Sequence, residues 1–425
     1  MKAKLFPLLY QKCLGERAII CLAGVVTILW VNSRNQIFSN FWWDVSVYSG
    51  KIDEFKKGLS PYEFNGHNNR LAVPSYFPYH PYIFRLFYYF DQVVHIEIIL
   101  TLLFVVSLII LMSSLYFFVL PGTTNSSAIK LSLQSFLIAI TFGGSSLVAL
   151  SSGNIAFPLH ALCLAVSLNL LRNPSTINTF SFISVIAISS FCKPYFFAYV
   201  LIYLFTFKKT FTKAILHLVL LFSVLNFVWF SSYFFDRENF FGYLNSIQYM
   251  TFGLQDFGFS AFSILRSQLG NGFALFGHIF FLILYLILPR LRNHKDDTYY
   301  ISIRNVYFLA LVLIIVSSNP RMKEYDFGIL FFVLVYFLLY LPKRSYFRIL
   351  ALLSLFILLR ICIVLMTQQL NFYLPSEWLY LRYWEIAITW LMYIFLVFVA
   401  QPTKKSTSLN IFFGPKFGNK IMRLW

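Results

Sequence analysis

Long apolar runs, broken at intervals by short polar clusters, dominate this 425-residue chain. A helix needs about 20 mostly apolar residues to cross the hydrocarbon core, so runs of this length predict membrane-spanning helices. The strands of a membrane barrel would instead show segments of about ten residues with alternating hydrophobicity. The pattern predicts 12 spans, at 18–32, 96–120, 129–150, 154–171, 177–191, 195–207, 211–235, 272–290, 302–318, 326–341, 347–366 and 385–400. The fifth and sixth are short and read as a helical hairpin. Three loops on one side are long, at 33–95, 236–271 and 367–384. The first contains two stretches that predict interfacial helices. One is 45–57, closed by Gly58, a common helix stop. The other is 82–94, whose aromatics suit headgroup depth. The Gly-, Pro- and Asn-rich stretch between them predicts an irregular loop. No internal repeat or separable soluble unit stands out, so the expectation is one all-α integral membrane domain over residues 1–425.

Composition sharpens this reading: 59% of residues are hydrophobic and only 12% charged. The formal charge of +18 raises nucleic acid as a partner, and its distribution argues against it. With the N-terminus in the cytoplasm, the whole basic excess falls on the cytoplasmic side and the opposite side is near neutral, the positive-inside bias. The expectation is a multi-pass protein of the inner (plasma) membrane with both termini cytoplasmic and no nucleic-acid partner. Mixed and polar residues precede the first apolar run and no small-x-small site follows it, which predicts an uncleaved anchor rather than a signal peptide. The five cysteines are scattered without a C-x-x-C pair, so neither a disulfide framework nor a metal site is expected.

On this topology the polar clusters that interrupt the apolar runs share the extracytoplasmic edge. They are Asp44 with Tyr48, Tyr62, Tyr79-His80-Pro81, Gly153-Asn154, Lys193-Pro194 and "SNPRMKEYD" at 318–326. Each has a bland reading beside the functional one. An ionisable residue between apolar stretches, such as Lys193, is a functional-site candidate by default, although a tight turn would bring it to water. Asp44 reads as a solvated loop charge or as part of a reaction site. His80, between aromatics and proline, suits local packing, and Asn154 suits a helix start. Arg321, Lys323, Glu324 and Asp326 read as a surface ion-pair patch worth little. Several separate segments bringing polar groups to one side favour a common site.

The order D-x-x-V-Y (Asp44 to Tyr48), G-x-x-P-Y (Gly58 to Tyr62) and aromatic-x-Pro (Tyr79 to Pro81) resembles the first-loop signature of a bacterial family. That family is the polyprenyl-phosphate-sugar-dependent mannosyltransferases within the GT-C class of polytopic glycosyltransferases. "SGNIAF", "FCKPYFFAYVLIYLF" and "SSNPRMKEYDFGILFFVL" are similar to its later motifs in the same order, so the resemblance spans about residues 40–340. Asn154 stands where Gln is commoner, and His80 where the family pattern usually has Pro.

The resemblance implies a GT-C-like fold and an inverting transfer of a sugar, most often mannose, from a polyprenyl-phosphate donor. The acceptor would be a lipid-linked or cell-envelope glycan on the extracytoplasmic face. A phosphate leaves without a proton, so such an enzyme needs one base for the acceptor hydroxyl and cations for the departing phosphate. Asp44 would be that base, with Trp42 and Trp43 seating its loop at the interface. Lys193 and Arg321, assisted by His80, would bind the donor phosphate. Tyr48, Tyr62, Tyr79, Asn154, Gln255, Asp256, Glu324 and Tyr325 would contact sugar or acceptor. No D-x-D pair for a metal-held nucleotide sugar occurs, and no cofactor is expected, the lipid-linked sugar being a substrate. A polysaccharide polymerase or ligase and a flippase of lipid-linked glycans are the alternatives; transporters more often gather ionisable groups at the bilayer midplane in repeated halves.

Overall fold

The computed structural model describes residues 43–62, 77, 79–119, 133–136, 139, 149, 152–207, 211–248, 260–291, 303–319, 322–340 and 377–398. Helix is the only regular structure among these residues. In chain order the helices are α1 (Trp43–Lys56), α2 (Pro81–Val93), α3 (Ile96–Val119), α4 (Ala156–Arg172) and α5 (Thr176–Cys192). A 3-10 turn (Pro194–Tyr199) leads into α6 (Val200–Thr206), followed by α7 (Phe211–Phe235) and α8 (Arg237–Gln248). The rest are α9 (Ala261–Ile287), α10 (Ile303–Ser317), α11 (Glu324–Tyr340) and α12 (Glu377–Phe398).

Three segments are long and apolar enough to cross a membrane: Ile96–Leu115, Ala214–Phe235 and Leu269–Ile287. α4, α5, α10, α11 and the 3-10 turn with α6 hold shorter apolar stretches. The expected spans at 18–32 and 347–366, and most of 129–150, lie outside the described residues.

The three long segments carry the outward apolar surface. On α3, Ile98, Leu102, Val105 and Ile109 are exposed at helical spacing, while Leu100, Phe104, Leu111 and Leu115 are buried. α7 exposes Leu216, Leu220, Phe227 and Phe234, a face that only an apolar surround satisfies. Against them stands a core built on α4, α10 and α11. α4 packs along α3, α5, α6 and α11. Its Ala156, Ala161, Ala165 and Ser167 are buried and small, which lets neighbouring backbones approach closely.

Two elements depart from the pattern-based boundaries. The segment assigned to the loop at 236–271 holds α8 and the start of α9. α9 is itself two helices broken at Gly270, whose φ of 76° suits glycine and strains other residues. In one continuous helix, residues 265 and 277 would be roughly 18 Å apart. Instead Leu265 lies directly against Gly277, and the ring of Phe262 meets that of His278 at 6.4 Å, so the chain folds back. The second departure is the short pair after α5. The residue before a proline is pushed out of the helical region, and Lys193 is extended at φ −146°, ψ 120°. α5 therefore stops at Cys192, and Pro194 opens the 3-10 turn.

Candidate functional site

Asp44 is held in place by helix ends. It occupies the first turn of α1, the end at which a helix dipole favours a carboxylate. Opposite it, the turn at 152–154 begins α4. Gly153 takes φ 67° there. The Ser152 hydroxyl accepts from the Asn154 backbone N–H at 3.1 Å. Asn154 Oδ1 accepts from the Ala156 N–H at 3.0 Å, the local bond that makes Asn a good helix starter. Its Nδ2 then donates to Asp44 Oδ2 at 3.0 Å, across 110 residues of sequence. Asp44 is thus a fixed, partly covered carboxylate, not a solvated loop charge. Burial pushes its carboxyl up to about 6, against the pull of the Asn154 bond and of the Lys193 and Lys323 charges.

The helix break delivers the cation. Lys193 Nζ lies 5.9 Å from the ring centres of both Tyr79 and Tyr195, within cation–π range. Its charge acts on Asp44 and also on Asp326. Tyr48 follows Asp44 by four residues, so both lie on one face of α1. Its hydroxyl pairs with that of Tyr79 at 2.5 Å. Burial and the neighbouring Asp44 charge hold the Tyr48 phenol well above the usual range, so it remains protonated. Segments widely separated in sequence therefore meet around Asp44, Tyr48, Tyr79, Asn154 and Lys193.

The second half of the cluster centres on Asp326, which is fully buried. Its Oδ1 accepts from the Tyr195 hydroxyl at 2.5 Å and from His160 Nε2 at 3.2 Å. Its Oδ2 accepts from Asn319 Nδ2 at 3.2 Å and from the Lys323 backbone N–H at 3.0 Å. His160 Nδ1 is paired with the Tyr199 hydroxyl at 2.9 Å. For Asp326 this sets aside the bland alternative of a surface ion-pair patch: a buried carboxylate must be fully hydrogen-bonded, and Asp326 is. His160 and Tyr195 escaped the sequence reading. The available signal was an ionisable side chain within an apolar helix, "AFPLHALCLAV".

His80 has a structural position rather than a phosphate-facing one. It caps α2, its Nδ1 accepting from the Tyr82 N–H at 3.3 Å, while Nε2 meets the Trp229 carbonyl at 3.2 Å. Burial lowers its pKa to about 4, so at neutral pH it is uncharged with both nitrogens engaged. Tyr62 is likewise committed: its hydroxyl donates to the Tyr79 carbonyl at 2.7 Å and its ring packs edge-on to Tyr243. Glu324 and Tyr325 open α11, of which the backbone is described at those positions. Arg321, Gln255, Asp256 and Trp42 lie outside the described residues. No group of three or more metal-ligating side chains occurs among the described residues.

No protein-family model matches the chain, and no curated protein or solved structure matches it either.

Proposed function

We propose that the chain is a membrane glycosyltransferase that moves a sugar, most simply mannose, from a polyprenyl-phosphate donor to a glycan or glycolipid acceptor. One observation carries this reading: the Asp44 carboxyl, raised to about 6, is fixed by Asn154 and faced by the Lys193 charge. A carboxylate whose pKa is close to the working pH is a good general base. Asp44 takes the proton of the acceptor hydroxyl as that oxygen attacks the anomeric carbon. The bond to phosphate breaks on the opposite face, which inverts the configuration. Lys193, with Lys323 also near enough to act on Asp44, offsets the charge that develops on the leaving phosphate. Tyr48 and Tyr79 are buried with their hydroxyls bonded to each other, so they brace the wall behind Asp44 rather than meet the sugar. The order of the sequence motifs supports the same class, with the site opening on the extracytoplasmic face, where lipid-linked sugars are used.

The test is transfer of label from a radiolabelled polyprenyl-phosphate mannose in membranes from a host lacking related transferases, with host glycolipids as acceptors. Wild type is expected to transfer label. Asp44→Asn, expressed at an equal level, is expected to lose about 100-fold or more of the rate while still binding donor. Equal transfer by both proteins would remove Asp44 as the base.

A further inference from the structure

A cavity of about 160 Å³ lies where α9, α11 and α12 meet, bordered by Ser317 at the end of α10. Its wall is mainly apolar, with Leu265, Phe281, Tyr285, Phe327, Leu330 and Trp390. Trp390 stacks on Tyr285 with ring centres 4.4 Å apart and planes 15° from parallel, which makes one side flat and aromatic. Ser260, Ser317 and Thr389 also reach the wall, and His278 stands apart from them. It is only 4% exposed, yet neither ring nitrogen has a hydrogen-bond partner among the described residues. The Ser318 backbone lies beside the ring without closing a bond.

Leaving a buried polar group unmatched is costly, so an orphaned imidazole at a cavity points to what the cavity accommodates. An apolar cavity of about 150 Å³ accepts a molecule the size of benzene. A pure hydrocarbon would suit the wall and leave His278 unmatched. Water would match His278 and wet the aromatic wall. A compact apolar body with one hydroxyl satisfies both, because a hydroxyl can donate to one imidazole nitrogen or accept from the other. Phe281 is 36% exposed, and Phe273, Phe276 and Phe280 on the same helix face outward, so access runs from the lipid side. We infer that this cavity is a binding site for a lipid-soluble phenol or short branched alcohol, hydrogen-bonded to His278. The inference is independent of the transferase reading.

The full chain, purified into phosphatidylcholine nanodiscs, is irradiated with 4-azidophenol and the adducts are mapped by mass spectrometry. The expected result is one saturable site on cavity residues such as Phe281, Leu282 or Ile386. Phenol should compete for it about tenfold better than benzene, the value of one hydrogen bond in a buried site. His278→Leu keeps the volume and should abolish that preference while benzene competes as before. Non-saturable adducts spread over Phe273 and Phe276, or equal competition by phenol and benzene in the wild type, would overturn the inference. The wild-type competition ratio decides the matter even if the variant fails to fold.

Discussion

Asp44 and Asn154 together set the pH range in which the proposed base works. The carboxyl is raised to about 6 by burial, and the Asn154 amide opposes that rise because it bonds the ionised form. The base acts only when ionised, so turnover is full above about pH 6 and falls about tenfold per unit below it. Removing the amide withdraws support from the carboxylate, so Asn154→Ala should move the acid limb upward by about one pH unit. A kcat/KM profile from pH 4.5 to 8 checks this; an unmoved limb would mean that the bond does not tune the base. His80, at about 4, titrates below the limb and does not obscure it. Asp44, Asn154 and Lys193 were legible as candidates because each interrupts apolar sequence. The bland reading of Asp326 as part of a surface patch rested on Lys323 and Arg321 beside it in the chain, whereas its partners include His160 and Tyr195, remote in sequence. Linear order shows which charges are neighbours, not which donors fold onto a carboxylate.

At the scale of elements, helix positions were legible because apolar length and proline placement are local properties. α3, α4, α5, α7, α10 and α11 fall within a few residues of their expected bounds. The fold-back at Gly270 was not legible, since it is a tertiary contact between two apolar stretches that read as loop and span. α8 reaches the site through a similar close approach. A β-carbon at Gly242 would lie 2.7 Å from Tyr62 Cβ, an atom that moves only with its backbone. Gly242→Ala should therefore lift the 61–62 turn from α8, strain the Tyr62–Tyr79 bond and cost about 1–3 kcal/mol. A β-carbon at Gly272 would meet nothing within 4 Å, so Gly272→Ala should be neutral or slightly stabilising. Thermal denaturation of the two variants in one detergent compares them directly; equal loss in both would refute the contact argument.

At the scale of the whole molecule, two kinds of apolar helix divide the work. α10 and α11 are buried on nearly every side, whereas α7 leaves most of its apolar surface outward. Hydropathy alone sees both as apolar runs, which is why the sequence predicts spans and cannot rank them by burial. Val224 sits near the middle of α7 and is 51% exposed. Arginine there faces hydrocarbon without a partner, so Val224→Arg should reduce membrane insertion by about 2.5–3.5 kcal/mol, while Val224→Leu should not. Glycosylation mapping of the inserted fraction tests this; unchanged insertion would argue that α7 does not face lipid. The Asp326 cluster adds a constraint on how the chain is made. Synthesis proceeds from the N-terminus, and His160 enters the nascent protein 166 residues before the carboxylate it pairs with. At ribosomal rates that interval is on the order of 10–30 s, during which α4 holds a polar side chain with its final partner still to come. The His160–Asp326 pair therefore closes only once α11 has been made.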